Sequence, residues 1–206
     1  YGAGTFDAGG GANGGSIYVG GSTTDPTEAA VRISGTIDAS GGSGDGGIVD
    51  LEGNGGIRFE GDIYAQGGTN GGRVYLHETG PNNYGISLEA TVDASGTNGS
   101  GGLIDIHATG DVYASELLAW GGIDGGDISV IGAAVDFYSA IAYGDAGIGG
   151  SVAITADNIF LTSYGYSIDV QGETGGGSID LYARETLVLG DDRSLYADRG
   201  SSAGTT

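Results

Sequence analysis

The two histidines of the chain occupy equivalent places in neighbouring copies of a short repeated string. The string is Gly-Gly, any residue, apolar, any residue, apolar, and both His77 and His107 directly follow its last residue. Glu52 stands at the same place in the copy before. Strands stacked in register would set these side chains about 4.8 Å apart at each step. Two imidazoles and a carboxylate suit borderline metal ions, so the spacing indicates a metal site, with an ordinary polar surface column as the alternative.

A second set of short polar residues directly precedes the Gly-Gly pairs: Asn13, Asp45, Asn70, Ser100 and Asp124. Such side chains bond to backbone groups in turns, and stacked copies can form a hydrogen-bonded ladder. Calcium is the alternative, because it prefers carboxylate and carbonyl oxygens. Residues 41–45 (GGSGD) and 121–127 (GGIDGGD) loosely resemble the calcium-binding nonapeptide GGxGxD, which makes Asp45, Asp124 and Asp127 candidate ligands.

Acids and tyrosines share the positions that we expect to face outward. One set accompanies the repeated string and consists of Tyr18, Asp50, Tyr75, Asp105 and Asp180. The other set consists of Asp7, Asp38, Tyr64, Asp93, Asp169 and Tyr196. Like charges in register repel, and no tyrosine separates Asp7 from Asp38. A bound cation such as calcium is one interpretation of that pair, and a solvated acidic face is the other.

Asp50 and Asp105 raise the question of catalysis, because paired carboxylates hydrolyse glycosidic bonds. Two steps of a stacked array place them roughly 10 Å apart. This is at or beyond the separation of about 6.5–9.5 Å that inverting glycosidases use. Arg73 is a lone base nearby and offers no cationic cluster. We therefore expect a non-enzymatic protein, with a carbohydrate-active lyase or hydrolase as the alternative.

Other surface residues could mediate recognition. Asn98 begins the sequon Asn-Gly-Ser and is a candidate glycosylation site. Trp120 occupies a position that small or polar residues hold in other copies. We expect its ring to point outward, toward a neighbouring molecule or a sugar. Tyr18 and Tyr75 are further candidates for surface contacts.

These candidate sites depend on the repeat that carries them. The string begins at seven places, which are residues 14, 46, 71, 101, 125, 149 and 176. Neighbouring starts differ by 24 to 32 residues. The longest additions, residues 20–30 and 77–85, contain both prolines and are predicted to protrude as recognition loops. Two more short segments with apolar residues at alternate positions follow each string, which indicates strands and not helices.

Three short strands per unit predict an all-β fold, a single parallel β-helix (β-solenoid) that spans residues 1–206. We expect seven to eight coils of 24–32 residues, right-handed because parallel crossovers almost always are. The glycines supply corners that need positive φ or close backbone approach. Two inward columns are expected to form the core beneath the repeated string. They are Ile17, Val49, Val74, Ile104, Ile128, Val152 and Ile179, and beside them Val19, Leu51, Leu76, Ile106, Val130, Ile154 and Leu181.

Composition narrows the function classes. The chain has 206 residues, 47 glycines, two prolines, no cysteine and a formal net charge of −21. Sparse proline excludes collagen, and the lack of cysteine excludes disulfide scaffolds and zinc–thiolate sites. The charge argues against nucleic acid and anionic membranes, and no apolar run reaches the about 18 residues of a membrane helix. Regular apolar alternation argues against glycine-rich disorder, and the composition suits an extracellular or cell-surface location.

The repeat resembles that of a known family. Residues 46–68 are GGIVDLEGNGGIRFEGDIYAQGG, which is similar to the repeats of filamentous-haemagglutinin-like exoproteins and related bacterial or archaeal surface adhesins. The likeness extends from residue 5 to about residue 200. It implies a secreted, fibrous, right-handed β-helix that serves adhesion or surface structure.

The ends of the repeat suggest how such a chain would be used. The sequence shows no capping helix, and uncapped strand edges favour end-to-end addition of further copies. We expect a structural subunit of an extracellular filament or surface fibre, with a second copy of itself as main partner and cell-surface carbohydrate as a further one. An adhesin segment of a longer exoprotein is the alternative, and Tyr1 in place of methionine favours a processed or partial chain.

Overall fold

Short alternating segments separated by glycine form parallel strands throughout the chain. The structure, a computed structural model, describes residues 2–25, 28–80, 84–161, 168–190 and 194–198. Within those ranges every regular element is a β-strand, and no helix could span a membrane. The strands are β1 (Gly2–Ala3), β2 (Phe6–Asp7), β3 (Ser16–Ser22), β4 (Val31–Ser34), β5 (Ile37–Asp38), β6 (Ile48–Asn54), β7 (Ile57–Glu60), β8 (Ile63–Tyr64), β9 (Arg73–Glu78), β10 (Ile86–Asp93), β11 (Leu103–His107), β12 (Val112–Leu118), β13 (Asp127–Ile141), β14 (Ser151–Leu161), β15 (Ile168–Asp169), β16 (Ser178–Leu189) and β17 (Leu195–Tyr196).

The strands stack into three parallel columns, one for each side of a coil. The first column contains β3, β6, β9, β11 and the first parts of β13, β14 and β16. Its seven rungs make about six full turns, close to the predicted coil count. Ile17 lies opposite Val49, and that register continues to Ile179, so all seven copies of the repeated string stack in line.

Apolar side chains from all three columns fill the interior as one continuous core. Interior members of the first column, such as Val49 and Ile104, are fully buried, and the second column contributes the largest buried rings, Phe59 and Phe137. Leu117 fills the third column of its coil. In the next coil Ala140 is the inward residue, and Ile141 faces outward beside it. Alternation at period two therefore places the core as the sequence predicts.

The Gly-Gly pairs close the corner between the third and first columns. The amide of the second glycine donates to the carbonyl of the residue that follows the third strand, as Gly102 does to Ala94 at 2.8 Å. A Cβ on Gly101 would lie 1.8 Å from the Ala119 oxygen, and one on Gly102 would lie 2.0 Å from the Gly72 oxygen. These glycines have no positive φ. The pairs are therefore required because neighbouring coils approach closely, and not for left-handed backbone.

The two predicted loops begin later than expected. Strand β3 continues to Ser22, and β9 continues to Glu78, so residues 20–22 and 77–78 belong to the sheet. The boundaries predicted at residues 20 and 77 are wrong because the alternating pattern extends past the apolar string. Pro26 and Pro81 lie outside the described residues.

Candidate functional site

The histidine column is in the register that the sequence predicts. Glu52 lies opposite His77, and His77 lies opposite His107 on the next strand. Their side-chain ends do not converge, however. Glu52 accepts a 2.9 Å hydrogen bond from Tyr18, and His77 Nε2 lies 3.4 Å from an oxygen of Asp105. Across the described ranges, no three His, Cys, Asp or Glu side chains are arranged to hold a metal ion.

The same face contains a cleft that the sequence analysis missed. Its volume is about 490 Å³, and its walls include His77, His107, Glu78 and Thr109. The imidazole rings of the two histidines meet edge to face, with centroids 6.2 Å apart. Such an arrangement can donate and accept hydrogen bonds at the cleft surface.

Glu78 is a buried carboxylate beneath that cleft and is only 1% exposed. Its Oε1 accepts from the amide of Gly80 at 2.7 Å, and its Oε2 accepts from the amide and the hydroxyl of Thr109 at 2.9 and 2.6 Å. Glu78 lies two residues after Leu76 and four after Val74, so the alternation of the strand could have identified its side chain as inward. Other coils hold Gly53, Ala108, Gly132 and Ala156 at this position. The side chain therefore links two coils where the rest of the column is small.

Four of the polar residues before the Gly-Gly pairs, Asn13, Asp45, Asn70 and Asp124, accept ladder hydrogen bonds from the following coil. The Oδ1 of Asn13 accepts from the amide of Asp45 at 3.0 Å, and the Oδ1 of Asp45 accepts from Asn70 Nδ2 at 2.8 Å. Asn70 and Asp124 accept in the same way from the amide of the following coil. Asp127 lies outside the ladder, and its Oδ1 accepts from the Ser151 hydroxyl at 2.6 Å. Hydrogen-bond donors therefore already occupy Oδ1 of Asp45, Asp124 and Asp127, the three candidate calcium ligands.

The outward acids of the third column end their strands with a common turn. Asp7 and Asp38 are in register, as predicted. Each accepts, through Oδ1, from the amide two residues ahead at 2.8 Å, and Asp93 and Asp169 do the same at 2.9 and 3.0 Å. Backbone amides therefore stabilise each carboxylate, which offsets the repulsion between stacked acids.

Trp120 lies at the outer corner of its coil, stacked on an aromatic residue that the sequence analysis missed. Its ring is nearly parallel to that of Tyr143, at an interplanar angle of 12° and a centroid distance of 5.8 Å. Burial, with the charges of Asp145 and Asp169, raises the pKa of Tyr143. After each third strand, one glycine bridges to its equivalent in the next coil and is here called the corner glycine. Trp120 and Tyr143 each directly precede such a glycine, and these two glycines, Gly121 and Gly144, pair with each other. Alignment on those glycines could have revealed the pair.

A groove of about 210 Å³ runs from Trp120 toward the N-terminal coils. Besides Trp120, its walls include the polar side chains of Ser40, Gln66, Ser95 and Thr97, together with corner glycines. Gln66 Nε2 donates to Asp93 at 2.5 Å. The groove therefore combines one large aromatic ring with hydroxyl and amide groups.

The remaining predicted surface residues are accessible to different degrees. Tyr18 is exposed, and its hydrogen bond to Glu52 raises the pKa of its phenol. Tyr75 is half-buried, with its ring 6.0 Å from that of His77. Asn98 is exposed, but its Nδ2 donates to the carbonyl of Gly68 at 2.5 Å. A glycan on Asn98 would replace a hydrogen of the nitrogen that makes this bond.

Apolar columns become exposed at both ends of the solenoid. Leu187 of the last coil is 45% exposed, whereas its register partner Ile159 is fully buried. At the other end Phe6 is 38% exposed, and its partner Ile37 is fully buried. Among the described residues, β16 is in register only with β14, and β3 only with β6. Each end therefore presents apolar side chains beside open strand edges.

The stacked columns, the continuous apolar core and the corner ladders define this chain as a parallel β-solenoid. Comparisons with protein families, with curated proteins and with solved structures find no match to it.

Proposed function

We propose that the protein is a non-enzymatic structural subunit of an extracellular filament or surface fibre, in which solenoids stack end to end. The exposed apolar columns at the two ends carry this proposal. Leu187 and Leu189 at one end, and Phe6 at the other, continue columns that are buried elsewhere. A second copy placed on either end would bury them and complete the sheet.

Strand pairing explains why another copy of the chain is the proposed occupant. Ten residues of β16 pair with β14. The opposite edge of β16 can pair only with a segment that has the same inward and outward alternation. Because every coil repeats that alternation, the N-terminal coil of a second copy is suited to this edge. The contact joins two different surfaces and so propagates into a filament.

The acidic surface affects how such filaments would associate. A net charge of −21 on one chain makes side-by-side contacts repulsive at low ionic strength. We therefore expect single filaments in dilute buffer and lateral bundles when salt or calcium screens the charge.

A pair of neighbouring substitutions on β16 tests the end contact. Leu187→Lys places a charge on the inward face, where stacking would bury it at a cost of several kcal/mol. Val188→Lys is the matched control, because Val188 is 37% exposed on the outward face of the same strand. Negative-stain electron microscopy and sedimentation should show filaments for the wild type and Val188→Lys, and short species for Leu187→Lys. Monodisperse wild-type monomers at every salt and calcium concentration would refute the proposal.

An adhesin segment of a longer exoprotein is the second candidate, since further coils of the same polypeptide would cover the ends equally well. The intact mass of the protein from its native source separates the two. A mass that matches these 206 residues supports the subunit, and a much larger one supports the segment.

A further inference from the structure

One outward side chain per coil directly precedes the corner glycine, and these residues form a straight column. In chain order they are Ser40, Gln66, Ser95, Trp120, Tyr143 and Gln171. Three polar residues are thus followed by two aromatic ones. Successive members lie one coil apart, so Trp120 stands three steps, or about 14 Å, from Ser40.

Trp120 forms the end wall of the groove described above. Tyr143 covers one face of the indole ring, from the C-terminal side. All other groove residues, including Gln66 and Ser95, belong to the preceding coils. The second face of Trp120 therefore lies toward the groove. An aromatic face supported from behind by a second ring is held in one orientation, which favours stacking of a ligand.

Ser95 provides an independent sign that a ligand belongs there. It lines the groove and is only 3% exposed, and its Oγ has no hydrogen-bond partner. An unpartnered buried hydroxyl destabilises the free protein, whereas a ligand hydroxyl could satisfy it after a small rotation of the side chain. Ser40, Gln66 and Thr97 add hydroxyl and amide groups along the same floor.

We propose that this groove binds an uncharged oligosaccharide of hexopyranose units. The apolar C–H face of one sugar ring would stack on the indole of Trp120, whose electron-rich face attracts it. Hydroxyl groups of the adjoining sugars would bond to Ser40, Gln66 and Ser95. Asp93 holds the amide of Gln66, and the charges of Asp145 and Asp169 act on Tyr143. These carboxylates, with the net charge of −21, repel uronic acids, so the site selects neutral glycans.

Trp120 is the single tryptophan of the chain, so its fluorescence reports directly on the groove. The test titrates the wild-type protein with the hexamers of cello-, malto-, manno- and chito-oligosaccharides, and with a galacturonate hexamer as the charged comparison. At least one neutral hexamer should change the emission in a saturable way at sub-millimolar concentration, and the galacturonate should not. No saturable change with any neutral hexamer, or equal binding of the galacturonate, would overturn the proposal.

Variants measured by calorimetry locate the binding. Trp120→Ala should abolish the heat of binding, and Gln66→Ala, which alters an exposed side chain and keeps the tryptophan, should weaken binding about tenfold. Tyr182→Ala is the matched control, because Tyr182 is 64% exposed on another part of the solenoid. Circular dichroism establishes that each variant is folded. Wild-type affinity in both Trp120→Ala and Gln66→Ala would overturn the assignment of the groove. Failure of sugar binding and failure of filament assembly can be told apart, because the titration reports on the groove at Trp120 and electron microscopy reports on the ends of the solenoid.

Discussion

Glu78→Ala should lower the free energy of unfolding by roughly 3 kcal/mol, because it removes a link between two coils. The carboxylate accepts three hydrogen bonds, from the Gly80 amide and from the amide and hydroxyl of Thr109. Each hydrogen bond to a charged group is worth about 1.5–3 kcal/mol. Two considerations reduce the sum: the exposed Thr109 can turn to water, and the buried carboxylate recovers its hydration on unfolding. For a chain of this size the loss corresponds to a fall in Tm of about 6–12 °C.

Thermal and urea unfolding monitored by circular dichroism measure this effect. Glu89→Ala is the matched control, because Glu89 is exposed and lies 3.4 Å from Arg58. That change should cost about 0–1 kcal/mol, as exposed ion pairs do. Glu78→Gln, which keeps the shape but can accept through only one atom, should fall between the two. Hydrogen exchange at Gly80 and Thr109 should accelerate in Glu78→Ala. A midpoint equal to that of Glu89→Ala would refute the reasoning.

Two further changes test other parts of the fold. Gly102→Ala should destabilise the protein by about 3 kcal/mol or more in urea unfolding, because its Cβ would lie 2.0 Å from the Gly72 oxygen. Gly11→Ala is the control and should stay within about 0.5 kcal/mol, because a Cβ there meets open space. Equal costs for the two variants would contradict the argument from close approach. Burial raises the pKa of Tyr143, so the unfolded chain loses the phenol proton at lower pH than the folded chain, and stability should fall as pH rises beyond about 10. Tyr143→Phe should reduce the fall in the urea denaturation midpoint between about pH 9 and 11. An unchanged fall in that variant would contradict the role of Tyr143.

The coil register was predictable because two independent patterns agree on it. Apolar residues at every second position define the inward face, and the Gly-Gly pairs mark where each coil returns. A shift of one residue would have turned Val49 and Val74 to the outside. Residues 20–22 and 77–78 of the expected insertions extend their strands without a shift, so the register beneath the repeated string is unaffected.

Side-chain partners were less predictable than backbone register. Register sets Glu52 beside His77, but each side chain can also contact the diagonal neighbours on its face. Glu52 bonds to Tyr18 and His77 approaches Asp105, so the predicted metal ligands point to other partners. The choice depends on side-chain geometry, which spacing along the chain does not contain.

The acids of the third column show a different gap in the prediction. For Asp7 and Asp38 the sequence allows two interpretations of the stacked charges, a bound cation or a solvated acidic face. Both residues end their strands, and the amide two positions ahead is available to a short carboxylate there. The repeated Asp-Ala-Gly or Asp-Ala-Ser sequence indicates such a turn. Neither interpretation includes this turn, because stacking relates residues across coils, whereas the turn joins residues two apart along the chain.

The rigidity of the glycine corner determines where this solenoid can vary. A Cβ at either glycine of a pair such as Gly101 and Gly102 would collide with a neighbouring coil, and the hydrogen bonds of the Asn and Asp ladder constrain the residue before the pair. The position before the corner glycine has neither constraint, so it holds serine, glutamine, tryptophan or tyrosine without a change of backbone. Such positions recur at about 4.8 Å along one line. A linear ligand that follows this line would meet one variable side chain per coil, so its recognition can change by single substitutions while the core and the stacking ends stay the same.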